Sequence, residues 1–261
     1  MPTADSIATG RCSPDRKVRG APLFGSARRS RGQSLTWLTL GRLRNIALTD
    51  LYTELGLKNA PVAILSDKDG TIVDTEPGWR PASIKVVEEA GGVWLPNEDP
   101  QRILGVSSKD HATALAQAVT RGTGEKADPQ MLFDYVGNAI EARMRKGLVL
   151  MPGAGELLSA FETAGLPQAL VTASPKSLVQ ALVDGLGDHP LSTYVSGDDE
   201  IPGQPDPAPY LLGAERLGVD INDCPVFEDS DTGLAAARAA GATVHSVTER
   251  PLAELLVHLS E

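Results

Sequence analysis

Short apolar runs alternate with stretches of helical periodicity from about Pro61 to the end of the chain. Four runs have the length and composition of buried strands, and they span residues 62–65, 168–171, 225–227 and 243–246. Helical patterns occupy residues 154–164, 176–186, 210–217 and 232–240. Strands that alternate with helices are typical of a parallel sheet with helices on both faces. The pattern therefore predicts an α/β fold built on an open, doubly wound, Rossmann-like parallel sheet.

Residues 78–147 interrupt this alternation. They contain no convincing strand, but apolar positions recur at helical spacing in three places, around Val87, Leu115 and Val136. We therefore expect residues 78–147 to form an all-helical cap domain. It would be inserted into an α/β core domain made of residues 58–77 and 148–261.

The first 57 residues differ from the rest in charge. Residues 1–50 hold nine basic and three acidic side chains, whereas the remainder holds 15 basic and 31 acidic ones. Residues 1–35 have too few apolar side chains to fold alone, and residues 35–57 carry apolar positions near helical spacing. We expect residues 1–57 to be a basic, largely disordered extension with a short helix. A polyanion-binding arm or an organelle-targeting segment is the alternative.

The composition argues against several function classes. The 261 residues include 24 basic and 34 acidic ones, a net charge of −10, and this argues against nucleic-acid binding through phosphate neutralisation. No apolar run approaches the roughly 18 residues of a membrane span. The two cysteines, Cys12 and Cys224, form no CxxC pair, which argues against a disulfide framework or a cysteine-rich zinc site. We expect a cytoplasmic protein.

Polar clusters follow three of the four predicted strands. Asp67 and Asp69 follow the first strand, Thr172 follows the second, and Glu228 and Asp229 follow the third. Because open parallel sheets bind ligands at the carboxyl ends of their strands, we expect these residues at one edge. Each fragment alone also fits a turn or a helix cap. Four carboxylates that meet at one place require a cation, however, and oxygen ligands favour Mg²⁺.

These residue types have the chemistry of phosphoryl transfer. A carboxylate beside Mg²⁺ can act as a nucleophile and form an acyl phosphate. A second carboxylate two residues further along is placed to protonate the leaving group and later to activate water. The hydroxyl and backbone N–H groups at Thr172 offer donors for the phosphate oxygens.

The assembled pattern resembles the haloacid dehalogenase superfamily, in its phosphatase and β-phosphoglucomutase-like branch with a helical cap. Residues 64–76 match the first motif of that family, residues 169–174 the second, and residues 226–241 the fourth. The resemblance extends from about Pro61 to the C-terminus. The first and fourth motifs together are highly specific.

The resemblance implies a role for each of these residues. Asp67 would be the nucleophile and Asp69 the general acid/base. Mg²⁺ would be held by Asp67, by the main-chain carbonyl of Asp69 and by Asp229, with Glu228 contributing directly or through water. Thr172 would hold the phosphoryl group, and the cap would close over the substrate. Relatives that cleave carbon–halogen bonds lack the second aspartate, so the first motif favours phosphoryl transfer.

The third motif departs from the family pattern. Gln204 stands where the family has a lysine that would neutralise the nucleophile and the phosphate, and residues 195–213 contain no lysine or arginine. Three explanations remain open: Lys176 reaches in from its helix, the enzyme is slow, or the fold persists without turnover. Ser174 of the second motif joins Thr172, Gln204 and Lys176 as a candidate substrate-binding residue.

Two cap positions also depart from the mutases of the family. Trp79 stands at the place of their histidine, and Ser108 at the place of the arginine that grips their distal phosphate. Both differences favour simple hydrolysis of a phosphate ester. Arg80 and Lys109 are nearby candidates for substrate contact.

We therefore expect a Mg²⁺-dependent phosphatase that hydrolyses a small phosphorylated metabolite, of the sugar-phosphate or phosphoglycolate type, through an aspartyl-phosphate. The alternative is a catalytically weakened relative that acts as a phospho-ligand-binding or regulatory module. We expect a monomer or a homodimer, with neither nucleic acid nor a membrane as a partner.

Overall fold

The computed structural model describes residues 51–257, apart from residues 54, 58, 105 and 188. Residues 1–50 of the predicted basic extension therefore lie outside the described residues. At its end, residues 51–53 are helical, and Leu51 and Leu55 are buried in the core.

The centre of the fold is a wholly parallel, five-stranded sheet with the strand order β3-β2-β1-β4-β5. This order confirms the predicted doubly wound α/β class, because the chain moves outward from β1 first on one side and then on the other. All carboxyl ends of the strands lie along one edge. The strands are β1 (Ile64–Ser66), β2 (Gln168–Val171), β3 (Leu191–Val195), β4 (Pro225–Glu228) and β5 (Thr243–Ser246).

Two details of the strand prediction are wrong. The sheet has a fifth strand, β3, which the pattern missed because this edge strand carries an exposed Ser192 and a polar Thr193 instead of a continuous apolar run. In addition, β1 begins at Ile64, and Val62 is exposed. Since β2 begins opposite Ile64, Val62 lies beyond the paired part of these two strands.

Four helices connect β1 to the rest of the core. Residues 78–147, apart from the undescribed residue 105, contain no strand. Within this insert the helix Pro129–Lys146 packs against the helices Glu76–Glu89 and Ser108–Thr123 and against the core helix Lys176–Leu186. The division into core and cap domains stays a prediction. The helices are α1 (Glu76–Glu89), α2 (Asp99–Ile103), α3 (Ser108–Thr123), α4 (Pro129–Lys146), α5 (Ala154–Thr163), α6 (Lys176–Leu186), α7 (Ala208–Leu217), α8 (Asp231–Ala240) and α9 (Leu252–Val257), with a 3₁₀ turn at Ile221–Asp223.

Two apolar clusters cover the sheet. Successive residues of β1 point to opposite faces, so that Ile64 packs in one cluster and Leu65 in the other. Burial on both faces is typical of parallel sheets. The cluster that contains Ile64 continues into the helical insert, where it includes Leu115 and Val136. The insert therefore shares apolar core with the sheet. Within the part of the chain that the structure describes, every helix is too short or too polar to cross a membrane.

An ion pair between the buried Asp99 and the partly exposed Arg121 joins the short helix α2 to α3. Nη1 and Nη2 of Arg121 donate to Oδ2 and Oδ1 of Asp99 at 2.9 and 3.0 Å. The N–H of Leu95 donates to the same carboxylate at 2.7 Å. Burial raises the pKa of Asp99, but the hydrogen bonds from Arg121 and Leu95 outweigh it, and the net pKa lies below its usual value. The pair fixes a helix whose Ile103 lines the cavity described below.

Replacing Arg121 with methionine should destabilise the protein, because the buried Asp99 would lose its charged partner. We expect the free energy of unfolding to fall by about 2–4 kcal/mol, measured by urea denaturation. The control is Arg145→Met, which removes exposed ion pairs with Glu141 and Asp184 and should lower the free energy of unfolding far less. Equal losses in the two variants would contradict the stabilising role given to the pair of Asp99 and Arg121.

Candidate active site

A cavity of about 560 Å³ opens at the carboxyl ends of β1, β2 and β4, and residues of the helical insert line its other side. Most of the residues singled out from the sequence line this cavity together: Asp67, Asp69, Thr172, Ser174, Gln204, Glu228 and Asp229. Lys176 is exposed and is not among the lining residues, and its backbone N–H donates to Asp198 at 2.9 Å. The structure therefore does not bring Lys176 to the site.

Asp67 directly follows the central strand β1. Its backbone N–H donates to the carbonyl of Phe227 in β4 at 2.9 Å and so fixes the residue at the edge of the sheet. The side chain is buried, and its Oδ2 atom has no hydrogen-bond partner. Burial, followed by repulsion from Glu228, Asp69 and Asp229, raises the pKa of Asp67 well above its usual range. An unpartnered, buried carboxylate oxygen in a cavity requires a cation or a proton.

Asp69, two residues later, has the opposite environment. Its Oδ1 accepts from the Thr75 hydroxyl at 2.6 Å and from the ammonium group of Lys68, and its Oδ2 accepts from the hydroxyls of Ser174 at 2.6 Å and Thr172 at 3.3 Å. Burial raises the pKa of Asp69, but the charge of Lys68 and the hydrogen bonds outweigh it, so the net pKa is lowered. Asp69 is therefore held in one orientation as a carboxylate.

Lys68 is the charged residue that the sequence interpretation missed. Its side chain is fully buried, and its ammonium group pairs with Asp69 from behind the cavity wall. Its place between two acids directly after a buried strand does not determine to which side of the strand end the side chain folds. Lys68 belongs to the first motif, whereas the missing lysine belongs to the third motif and Lys176 follows the second.

Glu228 is fixed by five donors. Its Oε1 accepts from the backbone N–H groups of Asp229 and Ser230 and from the Ser230 hydroxyl, each at 3.0 Å. Its Oε2 accepts from the hydroxyl of Tyr210 and from the side-chain amide of Gln204 at 3.4 Å. Gln204 thus lies within hydrogen-bonding distance of the acidic cluster, at the place where the sequence lacks a lysine.

Three of the acids form a group suited to a divalent cation. One carboxylate oxygen each from Asp67, Glu228 and Asp229 lies within 4.8 Å of the others. Burial and repulsion from Glu228 raise the pKa of Asp229, as they raise that of Asp67. A bound divalent cation would offset this repulsion, and carboxylate oxygens are the ligands that Mg²⁺ prefers. The unpartnered Oδ2 of Asp67 provides a free ligand atom. The side chain of Asp69 is not part of this group.

The glycine after Asp69 makes room for this group. Gly70 has a φ of 82°, in the left-handed region that favours glycine. A Cβ atom at this position would lie 2.1 Å from Oδ2 of Asp229. A side chain at residue 70 would therefore displace a candidate metal ligand.

His111 belongs to the wall of the cavity on the side of the helical insert. It is buried, lines the cavity and contacts the rings of Trp79 and Phe133. Its Nε2 is hydrogen-bonded to the hydroxyl of Ser83 at 2.9 Å. Burial lowers the pKa of His111 to about 4, so the ring is neutral at pH 7.

Known proteins share this sequence pattern and fold. The family model described as haloacid dehalogenase-like hydrolase matches residues 62–241. The chain is 32% identical to hexitol phosphatase A of Escherichia coli over 185 residues, which cover 70% of this chain and 81% of that protein. It is 29% identical to a phosphoglycolate phosphatase of Rhodospirillum rubrum, with coverages of 75% and 84%. The solved structure of CbbY from Rhodobacter sphaeroides in complex with phosphate is 26% identical, with a TM-score of 0.63 and coverages of 70% and 84%.

A methyl group at residue 70 should abolish cation binding. At a Mg²⁺ concentration a hundredfold above Kd, we expect the free energy of unfolding of the wild-type protein to rise by about 2.7 kcal/mol. Each kcal/mol should raise Tm by about 2–4 °C. Gly70→Ala should lose this Mg²⁺-dependent rise in Tm, because Asp229 would be displaced. Gly165→Ala is the control, since Gly165 has a similar φ of 72° but open space around its missing Cβ. A Mg²⁺-dependent rise retained in Gly70→Ala would contradict this cation site.

Proposed function

The chain belongs to the haloacid dehalogenase-like hydrolases and is a phosphoric monoester hydrolase, and we propose that it is a Mg²⁺-dependent phosphatase with Asp67 as its nucleophile. One observation carries the proposal. The buried Oδ2 of Asp67 has no partner, and it belongs to a residue that lines a cavity beside Glu228 and Asp229. The substrate is a small phosphorylated metabolite of the sugar-phosphate or phosphoglycolate type. The names of the relatives and a cavity of about 560 Å³ support this size and class.

Asp67 begins the reaction. Its carboxylate oxygen forms a bond to phosphorus while the bond between phosphorus and the ester oxygen breaks, which leaves an aspartyl-phosphate and an alcohol. Water then attacks the phosphorus, the bond to Asp67 breaks, and inorganic phosphate is released. No hydrogen bond engages Oδ2 of Asp67, so no donor has to be displaced when that oxygen reacts.

Asp69 is the proposed general acid/base. It would give a proton to the departing ester oxygen and later take one from the attacking water. Four donors hold the carboxylate in place, including the hydroxyls of Thr172 and Ser174. Thr172 and Ser174 also line the cavity, so we assign these residues, with Gln204, to the binding of the phosphoryl group.

Mg²⁺ would be held by Asp67, Asp229 and the main-chain carbonyl of Asp69, with Glu228 contributing directly or through water. When bound, the ion supplies positive charge that stabilises the phosphoryl oxygens in the transition state.

Lys176 has no role in this proposal, because it lies away from the cavity. We further propose that residues 78–147 act as a cap that excludes water from the core at residues 58–77 and 148–261. The cytoplasmic location and the monomeric or dimeric state stay predictions.

The alternative function is a phospho-ligand-binding or regulatory module without turnover. The observation that favours it is Gln204, whose amide lies beside Glu228 at the place of the family's lysine. A neutral amide gives less stabilisation to a developing negative charge than an ammonium group does.

Phosphate release distinguishes the two functions. We expect release from a panel of sugar phosphates, phosphoglycolate and nucleotide monophosphates with Mg²⁺, and none with EDTA. Asp67→Asn should reduce the rate by a factor of at least about 10⁴ because the nucleophile is lost. No release across the panel, with release restored in Gln204→Lys, would instead establish the binding module.

The buried lysine should set the pH dependence of catalysis. The charge of Lys68 lowers the pKa of Asp69, so removing that charge in Lys68→Met should raise this pKa. If protonated Asp69 donates to the leaving group, kcat/KM declines above its pKa, and this decline should move to higher pH in the variant. The control is Lys68→Arg, which keeps the charge. A pH profile of glycerol 2-phosphate hydrolysis that is the same in Lys68→Met and in the wild type would contradict the role given to Lys68.

A further inference from the structure

The cavity lining narrows the substrate further. We infer, on the basis of the proposed function, that the leaving group is uncharged and rests an apolar face on Trp79. This inference separates monophosphates of neutral alcohols from phosphoglycolate, whose leaving group carries a carboxylate, and from bisphosphates. It rests on two independent features of the cavity, its charge and its apolar wall.

The charge of the cavity disfavours a second anion. Among the described residues that line it, Arg80 is the only lysine or arginine, and five carboxylic acids accompany it. Arg80 stands one helical turn after Glu76, so the leaving-group side of the cavity carries an acid together with this base. The charge of Lys68 is already paired with Asp69 behind the wall. A carboxylate or a second phosphate on the leaving group would therefore meet net negative charge.

An apolar wall lies on the side of the insert. The rings of Trp79 and Phe133 are stacked, with centroids 6.0 Å apart and an interplanar angle of 23°. Trp79 is partly exposed and lines the cavity, and Ile103 and Val106 extend the apolar surface. An aromatic ring, or the C–H face of a sugar ring, would bury apolar area against this surface.

Two polar residues of this wall carry no positive charge. His111 is neutral at pH 7, and its Nε2 is hydrogen-bonded to the hydroxyl of Ser83 at 2.9 Å. The hydroxyl of Ser108 donates to the carbonyl of Ala173 at 3.0 Å. Neither residue offers a positive charge to an anionic leaving group. Such a group would lose water without gaining an opposite charge from these two residues, which is unfavourable.

Matched substrate pairs test the charge of the leaving group. We expect kcat/KM of the wild-type enzyme to be at least about tenfold higher for 2-hydroxyethyl phosphate than for phosphoglycolate, which differs from it by one carboxylate. The same preference is expected for fructose 1-phosphate over fructose 1,6-bisphosphate. The ratio of kcat/KM for phenyl phosphate to that for fructose 1-phosphate shows whether an aromatic ring or the face of a sugar fits the apolar wall better. The inference allows either order of these two substrates.

Trp79→Ala tests the apolar face. It should lower kcat/KM about tenfold for fructose 1-phosphate or phenyl phosphate, but less than about threefold for 2-hydroxyethyl phosphate, which has no ring to rest on the wall. Trp94→Ala is the matched control, since Trp94 is also partly buried against the core but does not line the cavity. Trp94→Ala should change kcat/KM by the same factor for all three substrates.

The outcomes separate this inference from the proposed function. If no ester is hydrolysed, the proposed function itself fails. If phosphoglycolate and fructose 1,6-bisphosphate are hydrolysed as fast as their neutral partners or faster, the phosphatase proposal stands and the inference on the leaving group is overturned. If Trp79→Ala lowers kcat/KM equally for substrates with and without a ring, the role given to the apolar wall is overturned. The wild-type substrate pairs keep the test decisive even if Trp79→Ala does not fold.

Discussion

The repulsion among closely spaced carboxylates is the constraint on which this site depends. Oxygens of Asp67, Glu228 and Asp229 lie within 4.8 Å of one another, and the first two residues are buried. The fold accommodates them with a dense set of donors around Glu228 and by omitting side chains at two positions. A Cβ atom at Gly70 would lie 2.1 Å from Asp229, and one at Gly233 would lie 1.9 Å from Glu228. The local sequence after β1 and β4 therefore follows from the need to hold these acids.

The same constraint gives different chemistry to two aspartates that are only two residues apart. Asp67 has an unpartnered oxygen and a raised pKa, whereas Asp69 has four donors and a lowered pKa. Environments that push the pKa values of two carboxyl groups apart are a general way of assigning different roles to identical side chains. Here the difference comes from Lys68 and the hydroxyls around Asp69, and from burial and the neighbouring acids around Asp67. A bound cation would lower the pKa of Asp67 and keep its carboxylate ionised, as a nucleophile must be.

Much of the fold could be predicted from the sequence, because buried parallel strands read as apolar runs. The predicted bounds of β2 and β5 are the observed ones. The edge strand β3 could not be found in this way, since half of its surface is polar or exposed. The motifs also predicted which residues share the cavity. They did not predict that Lys68 would be the buried cation and Lys176 an exposed residue, because spacing along the chain does not determine to which side of a strand end a long side chain folds.

The position of Lys68 changes the charge balance of the proposed reaction. A lysine at position 204 would lie beside the acidic cluster and could serve the nucleophile and the phosphate together. Lys68 instead lies behind Asp69 and is neutralised by it. Among the described residues that line the cavity on the side of the sheet, an entering phosphate dianion therefore meets no free cation, and Arg80 is exposed on the other side. Since a divalent cation offsets both the acids and the phosphate, phosphate and cation should each strengthen the binding of the other. The same balance explains why a leaving group without charge suits this cavity.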